Sequence, residues 1–431
     1  MINPLAKELN DILKDTTPGV LLSDLGNRLY FPKGIIAQSG EAKKLGKTAN
    51  GTIGMTVIGG TPVTLPSIQE NAPNLTSREL VAYAPTAGFP ELREMWKQDI
   101  IKKNPLLKDK TFSLPVLVPG LTAGISYLAD LFLDETKPLV AADPSWDNYV
   151  LIASARRNAG FVQFPMFDGE GINLSGLEKT LREQAKSGSV RVLLNFPQNP
   201  SGYSPTVEEA KQIVAMVKKL ADEGTKVMVW CDDAYFGLDY EDNIERQSLF
   251  AYLADLSPNI LAAKIDGPTK EDFAWGFRSG FITFSCKGMS EAQYDALVKK
   301  LMGAIRSSVS CSSTPPQTLL MKAFANPKME EEKATFRKVL EKRYKLVKKF
   351  VSTHKSENIR ALPFNSGYFM SFHLDKVDAE SLRQNLLNES GIGTISIDSH
   401  TLRVAFSSLE EDKIDIVYST IYQTADRMAK N

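Results

Sequence analysis

Short apolar runs alternate with longer segments of helical periodicity between about residues 113 and 285. The apolar runs at 114–118, 138–142, 160–164, 190–195, 226–231, 259–263 and 281–284 predict buried strands. Helical periods begin at Thr122 and at about Trp146, and two more cover 174–186 and 207–223. Strands that alternate with helices indicate an α/β fold with a mainly parallel sheet and helices on both faces.

The pattern changes after about residue 330. A long charged helix at 330–351 is followed by shorter segments at 367–373, 379–388, 392–397, 401–406 and 410–428, which predict a smaller α+β domain. Near the start of the chain, residues 3–15 have the spacing of a short amphipathic helix. Proline and glycine interrupt residues 29–40, so we expect that segment to be irregular.

Composition and charge narrow the class of protein. The 431 residues suffice for a large and a small domain, and 51 basic residues balance 51 acidic ones, which argues against nucleic acid or membrane partners. Three scattered cysteines and three scattered histidines predict no metal site. The first residues have no basic start with a long apolar core, and no run has membrane-spanning length. We therefore expect a cytoplasmic protein.

Lys270 lies in a segment that contains glycine and proline, between the strands predicted at 259–263 and 281–284. We expect the backbone to hold it on a loop, and a buried amine gives up its proton readily, as Schiff-base chemistry requires. Arg278 follows by eight residues, within Gly276-x-Arg278-x-Gly280, and offers a planar cation suited to phosphate. Taken alone, a lysine at a strand end is more often a surface residue.

Further candidates lie where predicted strands end, which is where open parallel sheets bind ligands. The turn 119–124 has small residues that allow backbone N–H groups to approach an anion, although a plain turn capped by Thr122 explains it equally well. Trp146 follows the next strand and suits either the core or stacking on an aromatic ligand.

Three polar residues need partners if they are buried. Asp232 ends an apolar strand, and its alternative role is a helix cap. Asn199 precedes Pro200 in a segment that also suits an ordinary turn. Arg403 is the one charge in an apolar strand and suits a carboxylate ligand, unless it lies at the surface.

The combination resembles one family. Lys270 with Arg278 eight positions later, the segment Asn199-Pro200-Ser201-Gly202 and the segment Asp232-Asp233-Ala234-Tyr235 resemble the class I/II aminotransferases, which are pyridoxal-phosphate enzymes of fold type I. The likeness, closest to aspartate-type members, covers nearly the whole chain. It implies a large cofactor-binding domain at residues 66–330, and a small domain formed by residues 1–65 and 331–431.

The resemblance also assigns roles. Lys270, Asp232 and Tyr235 are the implied catalytic residues: the amine binds the cofactor covalently and moves a proton, and the carboxylate keeps the ring nitrogen protonated. The implied cofactor-binding residues are Leu121, Thr122, Trp146, Asn199, Asp232, Tyr235, Thr269, Lys270, Arg278 and Tyr83. The implied substrate-binding residues are Gly34, Asn199 and Arg403.

The sequence departs from the family at two positions. Tyr149 stands where aspartate-type relatives have a histidine, which puts that contact in question. Gly267 stands where many relatives have a hydroxyl for the phosphate, and Thr269 is the substitute that the sequence offers. Lys264 is a rival for the cofactor lysine, but it precedes Arg278 by fourteen residues rather than eight.

We expect an aminotransferase that moves an amino group between an L-amino acid, glutamate or aspartate, and a 2-oxo acid. Arg306 precedes Pro315 by nine residues, about one helical turn out of register with the relatives' side-chain arginine, so hydroxyl groups are the other means of binding a second carboxylate. The alternatives are a β-lyase or decarboxylase with the same cofactor, and a non-catalytic regulator of this fold. In the family, the residue that Tyr83 matches reaches the phosphate of a neighbouring subunit, which implies a homodimer with shared active sites.

Overall fold

The structure is a computed structural model that describes residues 2–13, 22, 24–29 and 34–430. Its largest element is a seven-stranded sheet with the spatial order Val116–Val118, Gly280–Ser285, Ile260–Asp266, Lys226–Asp232, Ser189–Asn195, Leu139–Asp143 and Phe161–Pro165. Only Gly280–Ser285 runs antiparallel to its neighbours. The other strands are parallel, which confirms the predicted mainly parallel α/β sheet.

The inner strands of this sheet are mostly apolar because both of their faces are buried, whereas the edge strand Phe161–Pro165 is partly exposed. Trp230 belongs to the hydrophobic core on one face, whereas its neighbours Val229 and Cys231 belong to the core on the other. Helices cover the two faces and the ends of the sheet: Pro66–Gln69, Ser77–Val81, Pro90–Lys103, Leu121–Phe132, Leu174–Ala185, Val207–Asp222, Leu249–Leu253, Glu291–Arg306 and Thr314–Phe324. The helix predicted from about Trp146 is present as Asn148–Val150, continued by a π-helix at Leu151–Arg156.

A second sheet of four strands lies in the C-terminal part of the chain, in the order Ile359–Ala361, Phe369–Leu374, Thr401–Ala405 and Ile395–Ser396. Helices Met329–Thr353, Ala379–Ser390 and Glu411–Met428 share a separate hydrophobic core with it. Helix Met329–Thr353, with 25 residues, corresponds to the long charged helix of the sequence. None of the helices in the described ranges is long and apolar enough to cross a membrane.

Only part of the described N-terminal segment contacts this second unit: helix Ile35–Leu45 and strand Ala49–Asn50 lie against it, whereas helix Asp24–Arg28 lies against the π-helix Leu151–Arg156. Helices Pro4–Leu13 and Asp24–Arg28 are followed by helix Ile35–Leu45, and strand Ala49–Asn50 pairs in parallel with Ile392–Gly393. The expectation of an irregular segment at 29–40 is wrong from residue 35 onward, while residues 30–33 lie outside the described part. Two features explain why this segment is helical. Good helix formers follow Gly40, whose missing side chain would face open space. Gln38 also exchanges two hydrogen bonds with the Ser396 backbone.

Candidate active site

A cavity of about 380 Å³ opens at the carboxyl edge of the large sheet. Five of its strands end there, as the general rule for open parallel sheets predicts. Ten of the twelve predicted site residues line the cavity: Leu121, Thr122, Trp146, Asn199, Asp232, Tyr235, Thr269, Lys270, Arg278 and Arg403. The fold therefore brings together residues that span more than 280 positions of the sequence.

Lys270 lies on a short helical turn, Pro268–Glu271, and not on the loop that the sequence suggested. Pro268 begins the turn directly after strand Ile260–Asp266, where a missing N–H group costs no helical hydrogen bond. The Lys270 amine lies 4.5 Å from the centre of the Tyr235 ring. Burial lowers the pKa of Lys270 to about 8, and Arg278 adds to this effect while Asp232 opposes it. The amine of Lys270 therefore loses its proton more readily than an exposed lysine does.

Asp232 ends strand Lys226–Asp232 and is almost completely buried. One oxygen, Oδ2, accepts a hydrogen bond from the Tyr149 hydroxyl, and Oδ1 accepts one from the Ala234 N–H at 3.2 Å. Burial raises the pKa of Asp232, whereas these hydrogen bonds and the Lys270 charge act in the opposite direction. The tyrosine that replaces the relatives' histidine thus does contact this carboxylate.

Asp233 and Lys264 lie outside the cavity. The Asp233 carboxylate accepts a hydrogen bond from the Ser248 hydroxyl at 2.6 Å and forms an ion pair with Lys264. The Lys264 amine lies 3.3 Å from a second carboxylate, Asp266, and its side chain is about 1% exposed. Because Lys264 does not line the cavity, the structure favours Lys270 over this rival lysine.

The start of helix Leu121–Phe132 lies beside the Arg278 side chain. Gly120 has a φ of +94°, and a Cβ atom there would lie 2.5 Å from Nη2 of Arg278, so a side chain would displace the guanidinium. Arg278 is held by a hydrogen bond from Nη1 to the Trp275 carbonyl oxygen at 3.2 Å. A guanidinium beside the first N–H groups of a helix is a binding arrangement suited to phosphate. Thr269, whose hydroxyl donates to the Ser279 carbonyl oxygen at 3.4 Å, lies at the same cavity.

Arg403 extends from the centre of the four-stranded sheet into the cavity. Its Nη1 donates to Oδ1 of Asn199 at 2.8 Å, its Nη2 donates to the Thr52 carbonyl oxygen at 3.1 Å, and the guanidinium lies 4.2 Å from the centre of the Phe369 ring. Burial lowers the pKa of Arg403 to about 10. Its buried Nε atom has no hydrogen-bond partner among the described residues, so the group has donor capacity for an anion.

Two predicted residues do not line the cavity. Gly34 precedes the cavity residue Ile35, and a Cβ atom on it would lie 2.3 Å from Oδ2 of Asp147. Tyr83 is 93% exposed at the surface of the chain. The sequence offered no signal for several other wall residues, notably Ile35, Thr52, Ile53 and Phe369. They come from segments that have no recognisable motif.

The cavity fits pyridoxal phosphate in the chemistry of its groups. It combines a cation at a helix start for the phosphate, an amine that loses its proton readily, a buried carboxylate for the ring nitrogen, and the ring of Trp146. The close approach of Gly120 and Arg278 leaves this position of the guanidinium available, since a side chain at position 120 would displace it.

Comparisons with known proteins agree with this chemistry. The sequence profile of the family "Aminotransferase class I and II" matches residues 56–421. The chain is 23% identical over 377 residues to the aspartate aminotransferase of Pyrococcus abyssi, which covers 84% of this chain and 87% of the relative. It is 24% identical over 259 residues to a probable N-acetyl-LL-diaminopimelate aminotransferase of Bacillus subtilis, and that match covers 60% of this chain and 59% of the relative.

The fold has a well-matched solved counterpart. The crystal structure of an aminotransferase from Anaerococcus prevotii superposes with a TM-score of 0.82 at 22% identity, covering 94% of this chain and 99% of that one. This match shows the fold-type-I architecture, and the profile covers most of the chain. The chain therefore belongs to the class I and II aminotransferase family.

Proposed function

We propose that the chain transfers an amino group between an L-amino acid and a 2-oxo acid, with glutamate or aspartate as donor and with pyridoxal phosphate in the 380 Å³ cavity. One observation carries this proposal: Lys270, with a pKa lowered to about 8, shares a single cavity with the buried Asp232, Arg278 and Arg403. A transaminase needs an amine for proton transfer, a carboxylate to hold the proton on the cofactor's ring nitrogen, and cations for the cofactor phosphate and the substrate carboxylate.

Each side chain has a part in the proposed mechanism. Pyridoxal phosphate supplies an electron-withdrawing ring that weakens the Cα–H bond of a bound amino acid. The unprotonated amine of Lys270 accepts the Cα proton and later returns it, acting first as base and then as acid. Asp232 would hold the proton on the ring nitrogen, and Tyr149 fixes the direction of that carboxylate. Tyr235 and Asn199 would bind the phenolic oxygen.

The remaining residues would bind and orient. Arg278, Thr122, Thr269 and the N–H groups at 121–122 would hold the phosphate, and Trp146 would stack on the ring. Arg403, supported by Asn199, would bind the substrate α-carboxylate in a bidentate manner. Gly34 would act indirectly, because it leaves room for Asp147 beside the cavity.

The choice of glutamate or aspartate depends on a second carboxylate. Arg306 does not line the cavity; it ends helix Glu291–Arg306 and bonds to the Ser310 hydroxyl near the surface. Ser39, which lines the cavity, supports the alternative route through hydroxyl groups. A hydroxyl donates a hydrogen bond but carries no charge, so it binds a carboxylate more weakly than an arginine does. By this route the site would accept dicarboxylic donors without being specific for them.

The other parts of the proposal concern assembly and organisation. We propose a homodimer in which Tyr83 reaches the phosphate site of the partner. We also propose two domains, a large one at residues 66–330 and a small one formed by residues 1–65 and 331–431. The exposure of Tyr83 and the pairing of strand Ala49–Asn50 with Ile392–Gly393 support these two points. The cysteines Cys231, Cys286 and Cys311 are unpaired thiols, which supports the cytoplasm as the proposed location.

A half-reaction tests the activity. Glutamate added to the cofactor-loaded protein should convert the cofactor spectrum and release 2-oxoglutarate, and an added 2-oxo acid should then reverse the change. Lys270→Ala should abolish the reaction and the lysine-linked absorbance, whereas Lys299→Ala, at a residue on an exposed helix face, should not. A β-lyase or decarboxylase would release product, but a 2-oxo acid would not reverse a change in its cofactor spectrum. A non-catalytic regulator would release no product.

A further inference from the structure

Tyr368 is a completely buried tyrosine that connects the small sheet with the turn that carries Lys270. It directly precedes strand Phe369–Leu374 of the four-stranded sheet, yet its ring belongs to the hydrophobic core of the large sheet. Its hydroxyl donates to the Lys270 carbonyl oxygen at 3.3 Å and accepts a hydrogen bond from the Thr56 hydroxyl at 3.4 Å. Burial raises the pKa of Tyr368 above its usual range, so the hydroxyl keeps its proton and remains a donor.

The turn that carries Lys270 is too short to fix its own position. Pro268–Glu271 has four residues, far fewer than a helix needs to be stable by itself. The Lys270 carbonyl oxygen also accepts the Phe273 N–H group at 3.4 Å, but that bond lies within the same segment of the chain. The Tyr368 hydroxyl reaches this carbonyl from the other sheet, so it constrains the turn relative to the cavity.

The ring of Tyr368 supports the surroundings of the Lys270 amine. It contacts the Tyr235 ring edge to face, with the ring centres 5.6 Å apart, and the Lys270 amine lies 4.5 Å from the centre of the Tyr235 ring. Tyr368 itself is held by its neighbour Gly367, whose N–H group donates to the Leu238 carbonyl oxygen at 2.8 Å. The hydroxyl and the ring of one side chain therefore contact both the backbone and the environment of the same lysine.

We propose that Tyr368 is a positioning residue for the amine of Lys270. Its hydroxyl fixes the backbone of the turn and its ring supports Tyr235, so the amine has one position from which it reaches the Cα proton. Tyr368 does not line the cavity, so it acts through Lys270 and not on the substrate. Proton transfer requires the two groups to lie within hydrogen-bond reach, and a displaced amine slows it. The inference rests on the proposed function and adds a residue to the same reaction.

Tyr368→Phe tests the proposal, because it removes the hydroxyl and keeps the ring. In the cofactor-loaded protein, the single-turnover rate of Cα-proton removal from glutamate should fall on the order of tenfold, while the glutamate concentration that gives the half-maximal rate should change by less than about twofold. The circular dichroism of the lysine-linked absorbance band, measured per bound cofactor without substrate, should also fall. That signal depends on a fixed orientation of the group bound to Lys270.

Tyr418→Phe is the matched control. Tyr418 is equally buried, in the core of the small sheet, and its hydroxyl has no hydrogen-bond partner among the described residues. Its removal should leave both the rate and the circular dichroism unchanged. Thr56→Val removes the group that donates to the Tyr368 hydroxyl and keeps the branched shape, so it should give the same two losses to a smaller extent. This variant decides the test if Tyr368→Phe does not fold.

Equal rates, or equal circular dichroism, in Tyr368→Phe and Tyr418→Phe would overturn the inference, since the Tyr368 hydroxyl would then only occupy the core. If Tyr368→Phe does not fold, an unaltered rate or an unaltered circular dichroism in Thr56→Val has the same meaning. Failure of the proposed function gives a different result. The unaltered protein would then bind the cofactor but leave its spectrum unchanged with glutamate or aspartate, and the circular dichroism comparison would still test the position of Lys270.

Discussion

At the scale of single residues, the contact between Tyr149 and Asp232 is the most informative departure from the family pattern. Burial and the neighbouring carboxylate raise the pKa of Tyr149 well above its usual range, so the hydroxyl remains a neutral donor. A neutral donor holds the carboxylate in one direction and favours its ionised form without itself titrating near neutral pH. The interaction therefore gives Asp232 the same hydrogen bond over the working pH range.

Tyr149→Phe removes the hydroxyl that donates a hydrogen bond to Oδ2 of Asp232. The pKa of Asp232, already raised by burial, should rise further, so the carboxylate is lost at a higher pH than in the unaltered protein. We expect the rate of Cα-proton removal to fall roughly tenfold or more, and its acid limb to move to higher pH. Single-turnover rates across a pH series measure both changes.

Tyr252→Phe is the matched control, because that hydroxyl also bonds to a carboxylate, Glu245, but lies outside the cavity. Equal rate losses in the two variants would show that Tyr149 has only a structural role.

Lys264 provides the opposite case, a buried charge that has a structural role. Its amine lies between Asp233 and Asp266, and Trp96 Nε1 donates to Asp266 Oδ1 at 3.0 Å. Lys264→Ala would leave two buried carboxylates without their cation, a change that costs about 3–5 kcal/mol of unfolding free energy. Urea denaturation should show this loss, with Lys299→Ala unchanged, while the folded fraction keeps the Lys270-linked absorbance.

Part of the site could be predicted at this scale and part could not. Asp232, Asn199 and Lys270 follow apolar runs that had to be buried strands, so their meeting at one edge of a parallel sheet follows from topology. Ile35, Ile53 and Phe369 reach the same cavity from a helix, a loop and a strand of the other sheet. Nothing in their local spacing indicates where long-range packing brings them.

At the scale of elements, the turn Pro268–Glu271 is held by a buried ionic network. The two residues after Lys270 are buried carboxylates: Glu271 pairs with Lys103 at the end of helix Pro90–Lys103, and Asp272 lies 2.6 Å from the amine of Lys333 in helix Met329–Thr353. Since burying such charges is costly, geometric specificity is a better account of them than stability. The network joins three elements behind the proposed catalytic amine.

Lys333→Met tests this account. Methionine keeps most of the side-chain volume but leaves Asp272 without the amine, so the turn should lose its fixed position. We expect weaker cofactor retention and a lower rate of proton transfer, together with a loss of about 3–5 kcal/mol in unfolding free energy. Cofactor dissociation constants and urea curves measure the two parts separately. Lys345→Met, in the same helix but mostly exposed, should affect neither.

Element boundaries were predictable where one strong pattern dominates. The inner strands of the large sheet are buried on both faces, and helix Val207–Asp222 begins at a capping box in which Thr206 and Glu209 satisfy each other's backbone groups. The bounds of helix Ile35–Leu45 were not predictable, because the two glycines that flank it and the internal Gly40 are typical of positions where a helix is interrupted. Contacts to Ser396 and Asp147, far away in sequence, offset that weak local preference.

At the scale of the whole molecule, one apolar surface stands out near the end of helix Ser77–Val81. Leu80, Val81 and Tyr83 are 51%, 76% and 93% exposed. Thr314, which donates to the Ala82 carbonyl oxygen at 2.6 Å, ties this segment to helix Thr314–Phe324, so the surface has a fixed position. Exposed apolar residues grouped in this way are typical of a surface that another protein covers. A second copy of the chain is the proposed occupant.

Subunit mixing tests whether that second copy completes the active site. Lys270→Ala lacks the amine, and Tyr83→Ala lacks the proposed phosphate contact, so each homodimer should be inactive or severely impaired. In a heterodimer, the subunit that keeps Lys270 faces a partner that keeps Tyr83, and one of the two sites is whole. Equal mixing with free exchange should therefore restore about a quarter of the unaltered activity, since half of the dimers are mixed and each has one site. Differently tagged subunits, purified as heterodimers, provide the direct measurement. If the heterodimers form and remain as inactive as the parents, then Tyr83 acts within its own subunit or has no part in the site.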